Sequence, residues 1–174
     1  MLVSRDTFYL MNFQNASLTN LDEIASLFHA CWHISYRDIL SEKVIEAMTL
    51  ESARDLWRPA LVEPRDRETV IGYKENDPVS VFRIGKDSIN ETRGHLFSLY
   101  VAPEAAGRGY GRASLKEAIA RLVAKNEREV SLWVFDKNSL AKSLYSSAGF
   151  IPTGESRVDD RWQELEIEML KALK

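Results

Sequence analysis

Residues Gly94 to Ala124 read GHLFSLYVAPEAAGRGYGRASLKEAIARLVA, and the reading of the whole chain turns on them. His95 to Val101 is an apolar run with Phe97, Leu99, Tyr100 and Val101, the pattern of a buried strand. Pro103 then stops sheet pairing, because proline has no N–H to donate. Gly107, Gly109 and Gly111 follow at alternate positions. Beyond them Leu115, Ala118, Ile119, Leu122 and Val123 take the spacing of one buried helix face. Strand, glycine turn and helix together aim main-chain N–H groups at an anion. The first N–H groups of a helix lack an internal acceptor, and the helix dipole adds roughly half a positive charge there. Glycines let the main chain come close to a phosphate, and Arg108 and Arg112 add full charges.

Two phosphate-binding patterns fail against this loop. A P-loop needs Gly-Lys-Ser/Thr five residues after its first glycine, and Arg112 stands there instead. A dinucleotide fingerprint needs Gly-x-Gly-x-x-Gly, and neither Gly107 nor Gly109 starts one. Taken alone, the same loop could also cap an ordinary βα unit.

The rest of the chain frames the choice. Its 174 residues suggest one domain, residues 1–174, with a sizeable core. Hydrophobic residues at 45% and charged residues at 28% fit a globular protein. A net charge of −3 gives no basic footprint for nucleic acid. No run reaches the ~18 apolar residues of a membrane span, and the N-terminus does not read as a signal peptide. The single Cys31 allows no internal disulfide, so a cytoplasmic protein is expected.

Thr7 to Phe13 reads as a first strand, and Asn20 with Glu23 as a capping pair before a helix running through Trp32. Ser41–Met48 and Ser52–Leu61 read as helical turns that could line a cleft. His29 and His33 lie one helical turn apart, but Ala30 stands where a zinc-protease motif needs glutamate, and no further ligands cluster nearby. No metal is expected, and Cys31 has no partner that would mark it as a nucleophile. Glu68–Tyr73 and Pro78–Ile84 read as strands joined at Asn76-Asp77-Pro78. A turn at Asp87–Arg93 leads into the strand of His95–Val101. Val130–Phe135 follows the glycine-led helix, so it is expected parallel to that strand. Leu140, Leu144 and Ala148 mark a short helix with Gly149 as C-cap, and Trp162–Leu170 closes the sheet.

Ala106-Gly107-Arg108-Gly109-Tyr110-Gly111 after Leu99-Tyr100-Val101 resembles motif A of the GCN5-related N-acetyltransferases. That motif is Gln/Arg-x-x-Gly-x-Gly/Ala after a strand ending Leu-x-Val, and Ala106 departs from it at the first position. Asn138, Ala141, Tyr145, Gly149 and Phe150 match all five named positions of the family's motif B. Trp32, Tyr36 and Trp57 resemble one bacterial subgroup more weakly.

The resemblance implies an α/β fold. Its sheet would be mixed and mostly antiparallel, of about seven strands, with helices on both faces and one splayed parallel strand pair. It implies acetyl-CoA as co-substrate, with the pantetheine arm in the splay against Leu99, Tyr100 and Val101. Gly107, Arg108, Gly109, Tyr110, Gly111, Arg112 and Ala113 would hold the pyrophosphate, and Asn138 would bond the pantetheine or phosphate region. The implied reaction is direct attack of a primary amine, on a small molecule or a peptide, upon the thioester in a ternary complex. An N–H near Val101 would serve the oxyanion, and Tyr145 would protonate the leaving thiolate. His95 stands about where many relatives carry glutamate, and is a candidate base titrating between ~6 and 7. A solvent-facing strand residue is the other reading of His95. A homodimer is possible, and a non-catalytic acyl-CoA-binding module on the same fold remains an alternative.

Overall fold

The computed structural model describes residues 11–90 and 92–173. Seven strands form one sheet in the order β1-β2-β3-β4-β5-β7-β6. They are β1 (Met11–Asn15), β2 (Arg67–Lys74), β3 (Asp77–Lys86), β4 (Arg93–Val101), β5 (Glu129–Phe135), β6 (Ile151–Asp159) and β7 (Glu164–Ala172). All neighbours pair antiparallel except β4 and β5, which are parallel. The helices are α1 (Leu21–Ile34), α2 (Glu42–Ala47), α3 (Leu50–Val62), α4 (Tyr110–Ala124) and α5 (Ser139–Ser147). Of the expected first strand, Thr7–Leu10 lies outside the described residues, and Met11–Phe13 lies in β1.

Strand alternation divides the core in two. Ile71, Tyr73, Val79, Val81 and Phe135 face α1 and α3, where Phe28, Trp32 and Trp57 pack. Val70, Phe82, Ile84, Leu96, Leu132 and Val134 face α4 and α5, against Leu115, Leu122, Tyr145 and Phe150. Helices therefore cover both faces, as expected.

Several local expectations shift. The β2–β3 turn falls on Glu75-Asn76, with Glu75 at φ 56°, because Lys74 already pairs with Asp77. Pro78 sits inside β3 beside a bulge at Gly72/Tyr73, where a missing N–H is tolerated. Leu140 is 80% exposed, and the inner side of α5 is carried by Tyr145, flanked by the half-buried Ala141 and Leu144. Val123 is 41% exposed, and Tyr110 and Ser114 join Leu115, Ala118 and Leu122 on the buried side of α4. Ile151–Asp159, unassigned above, forms β6 at the sheet edge, and Trp162 lies in the turn before β7.

Candidate active site

The parallel pair comes apart. Registry between β4 and β5 runs from Arg93↔Glu129 to Leu96↔Leu132 and stops, although β4 continues to Val101 and β5 to Phe135. The cause lies on the other side of β4. Arg83 pairs with Ser98 and Ile84 with Leu96, which leaves Phe97 as an extra, unpaired residue. Such a bulge bends and twists its strand, here where the β5 pairing ends. Ala102 N–H bonds Val79 O at 2.9 Å, and main-chain groups alternate sides along a strand. Tyr100 therefore bonds toward β3, while the N–H and C=O of Leu99 and Val101 face the gap. Val101 O accepts the Cys31 thiol hydrogen at 3.0 Å.

The glycine loop begins just past the end of β4. Gly107 and Gly109 have φ of 74° and 86°, a left-handed conformation open to glycine at no steric cost. A Cβ at either would meet nothing within 4 Å, so the loop surface is unobstructed. The first main-chain bond of α4 is Ala113 N–H to Gly109 O at 3.0 Å. The N–H groups of Gly111 and Arg112 precede it and have no acceptor within the helix. The amide of Ala113 is thus already bonded. Gly111 lies beside Val101 and Leu144, so loop, β4 and α5 meet at one corner.

Asn138 caps α5, accepting the Ala141 N–H at 3.0 Å through its side-chain oxygen and keeping its NH2 as a donor. Gly149, at φ 91°, and the Phe150 N–H to Tyr145 O bond at 3.1 Å close the helix C-terminus. The closure seats Tyr145 against Phe150, with ring centroids 5.8 Å apart. Burial pushes the Tyr145 phenol well above its ordinary range, so it stays protonated.

A cavity of about 340 Å³ opens between the splayed strands and under α1 and α3. Tyr145 and Ala141 line it from α5, Asn138 from the cap of that helix, and Leu96 to Tyr100 from β4. Phe28, Trp32, Tyr36, Trp57 and Trp162 form an aromatic wall. The Tyr100 ring stands edge-on to Phe28 at 5.0 Å, so this side chain belongs to the wall.

His95 also lines the cavity, so it is not a solvent-facing strand residue. Its Nδ1 lies 2.7 Å from Ser131 Oγ, which donates to Asp87 Oδ2 at 2.9 Å. Because the serine hydrogen goes to the carboxylate, its oxygen accepts from Nδ1–H, leaving Nε2 as the ring's lone-pair nitrogen. Burial is the main cause that pushes the His95 pKa down to about 4; Asp87 opposes it, and Arg157, Arg93 and Arg67 add to it. The expected titration between 6 and 7 is therefore corrected: the ring is neutral throughout that interval. Burial works against the Asp87 carboxylate, yet the Ile89 N–H, Ser131 and the neighbouring His95 and Arg93 hold its pKa below the ordinary value. Asp87 and Ser131 escaped the sequence reading, since nothing in their spacing from His95 marks them. Register supplies the link, because His95 and Ser131 are cross-strand partners.

His29 and His33 on α1 have ring centroids 4.3 Å apart with the planes tilted by 44°, and His33 Nε2 lies 2.8 Å from Met48 O. Burial raises the Cys31 thiol to about 12, so it remains a packing thiol.

A bulged strand splayed from its parallel neighbour, followed by a glycine loop at a helix N-terminus, defines an acyl-transferase type of α/β fold. The acetyltransferase (GNAT) family profile matches residues 21–150, and the chain belongs to that family. It is 41% identical over 124 residues, 71% of its length, to mycothiol acetyltransferase of Beutenbergia cavernae, of which the match spans 41%. It is 33% identical over 78 residues, 45% of its length, to ribosomal protein bS18-alanine N-acetyltransferase of Haemophilus ducreyi, spanning 52% of that protein. The matches thus span about half or less of these relatives. The crystal structure of PaiA N-acetyltransferase from Thermoplasma acidophilum, in complex with coenzyme A, superposes with a TM-score of 0.69. That comparison covers 91% of this chain and 98% of the other at 20% identity, and it speaks to fold.

Proposed function

We propose that this chain is a single-domain N-acetyltransferase that moves the acetyl group of acetyl-CoA to a primary amine by direct attack in a ternary complex. The observation that carries this is the departure of β4 from β5 beyond Leu96, which opens a cleft edged by the main-chain groups of Leu99 and Val101. The pantetheine arm lies along that edge. The pyrophosphate rests on the loop from Gly107 to Ala113, with the Gly111 and Arg112 N–H groups as donors and the exposed Arg108 and Arg112 side chains as charge. The Asn138 NH2 bonds the arm from the opposite side. Tyr110 contributes through the same first turn, and the Tyr100 ring acts in the acceptor wall.

Holding two reactants together is worth about 7–11 kcal/mol and supplies most of the rate. The Val101 N–H stabilises the oxyanion. Tyr145 donates to the departing sulfur. Its raised pKa lies above the ~8.5 of an ordinary thiol, so complete transfer is uphill and the phenol acts chiefly as a hydrogen-bond donor. His95 is too weak a base at about 4 to strip an ammonium ion. It accepts the proton after attack, once the nitrogen lone pair is committed to carbon and its protons have become acidic. The acceptor is a small-molecule or peptide amine. A cytoplasmic location fits the lone buried thiol, and a homodimer is compatible with the exposed edge strand β6.

The test is release of free CoA from acetyl-CoA across a panel of amines, beside a calorimetric titration with acetyl-CoA. Binding with amine-dependent release is expected. Binding without release for any amine would leave a non-catalytic acyl-CoA module, and no binding would remove the cofactor.

A further inference from the structure

The cavity holds more positive charge than the transfer chemistry needs. Four arginines and two carboxylates line it. Both carboxylates have their own arginine: Arg157 Nε donates to Glu166 at 2.8 Å, and Arg161 lies 3.8 Å from Asp159. Arg67 and Arg83 have no carboxylate partner among the described residues. Register puts them together. Arg67 pairs with Gly85 and Arg83 with Thr69, so both side chains stand on one face in diagonal positions of β2 and β3. Gly85 in turn pairs with His95, and Arg83 with Ser98, so the same face carries His95. The Arg67 guanidinium lies 3.9 Å over the Phe97 ring, whose centroid is 4.6 Å from that of His95.

Arg83 is the more telling of the two. Its Nε is shielded from solvent and has no acceptor among the described residues, and so is the Nε1 of Trp57 on the opposite wall. A shielded donor without an acceptor is costly, and a half-buried guanidinium beside another is costlier. Burial and the neighbouring Arg67 both work against the charge on Arg83. A cavity so arranged suits an anion with several acceptor oxygens, which a guanidinium fork is shaped to receive.

We infer that the acceptor is a small amine that also carries an oxyanion group, a carboxylate or a phosphinate, held by Arg67 and Arg83 while its amine lies beside His95. The apolar body of such a molecule rests on the wall of Phe28, Trp32 and Trp57. The two guanidiniums also disfavour a nearby ammonium, which keeps the bound amine in its reactive neutral form. Amines with only positive charge, such as spermidine, are rejected for the same reason.

This inference rests on the acetyl-transfer reading, and the experiment separates the two. Rates are compared for L-phenylalanine, L-phenylalaninamide, phenethylamine and spermidine, with an L-alanine phosphinic analogue as a second oxyanion. Wild type is expected to favour the amino acid over its amide and over phenethylamine by roughly 10- to 100-fold in kcat/KM. In Arg83→Gln and Arg67→Gln that preference falls to a few-fold, chiefly through KM, while the KM for acetyl-CoA stays put. Should either variant fail to fold, wild-type selectivity still decides. So does the thermal shift of the CoA complex with N-acetyl-L-phenylalanine against N-acetyl-L-phenylalaninamide, which needs no turnover. Equal or better use of the amide, phenethylamine or spermidine, or equal shifts from the two acetylated ligands, overturns the inference while leaving acetyl transfer intact. Failure to bind acetyl-CoA removes the transfer reading itself, and the inference about its acceptor falls with it.

Discussion

His95 and Tyr145 meet the same cavity with opposite needs. In the proposed transfer the phenol keeps a proton and the imidazole lacks one, and burial favours both conditions because it disfavours each charged form. For His95 the consequence reaches stability. Its folded pKa of about 4 lies below the ordinary ~6.5, so the unfolded chain binds the proton first as pH falls. The stabilisation is fully present above pH ~6.5 and is lost as pH falls through about 4, by up to about 3 kcal/mol. Denaturant titrations at steps from pH 7 to 4.5 should show that slope in wild type and a shallower one in His95→Gln. Equal slopes would mean that the ring titrates normally. The kcat/KM profile should carry no His95 inflection between 6 and 7. Tyr145→Phe keeps the ring against Phe150 and removes only the hydroxyl. Because its proton transfer is uphill, the loss should sit near the lower end of acid catalysis, about 10²-fold in a single-turnover rate. Acetyl-CoA affinity should stay within a few-fold, and an undiminished rate would leave Tyr145 as a packing residue.

Among the elements, the glycine loop was the most legible. Three glycines, a strand before them and a helical spacing after them carry both geometry and chemistry in one window. The structure nevertheless separates glycines that look alike in sequence. Gly109 needs its left-handed φ, so any side chain there strains the loop whatever it does to a ligand. Gly111 is helical, and a Cβ there would meet Leu144 and Val101 at 3.4 and 3.6 Å, ordinary contacts. Gly111→Ala should therefore fold and bind acetyl-CoA nearly as wild type, whereas Gly111→Glu adds bulk and negative charge at the proposed pyrophosphate site. Calorimetry should show the glutamate variant weakened by at least tenfold with its circular dichroism unchanged. Equal affinity would move the phosphate site elsewhere. Strand β6 escaped the reading for a physical reason. It is an edge strand exposed along nearly its whole length, with Pro152, Gly154 and charged residues, so it carries no alternation of apolar and polar positions. Of the expected α5 face, Leu144 and Ala148 do pack against the core, but Leu140 sits exposed at the open first turn and the buried side chain is Tyr145.

At the scale of the molecule, the far halves of β4 and β5 stand unpaired with each other, so the sheet is open at its centre. Motif and spacing located the parallel pair, but the bulge at Phe97 that forces it apart is a property of register, and one residue of register has no sequence signature. The same holds for the Arg67–Arg83 face and the Asp87–Ser131–His95 chain, which four strands assemble from distant positions. The gap makes a distinct demand on any occupant. The N–H groups of Leu99 and Val101 face it, whereas that of Tyr100 is engaged with β3. A pantetheine arm lying there would act as a missing strand. Acetyl-CoA at about 100 times its Kd should stabilise the fold by about 2.7 kcal/mol, which for a domain of this size corresponds to roughly 5–10 °C in Tm. Hydrogen exchange in the same complex should show new protection at the Leu99 and Val101 amides and little change at Tyr100. A Tm rise without that alternation would place the ligand outside the gap, and no rise would deny the cleft its cofactor. Alternating protection with a matching Tm rise would make the cofactor the element that closes the sheet.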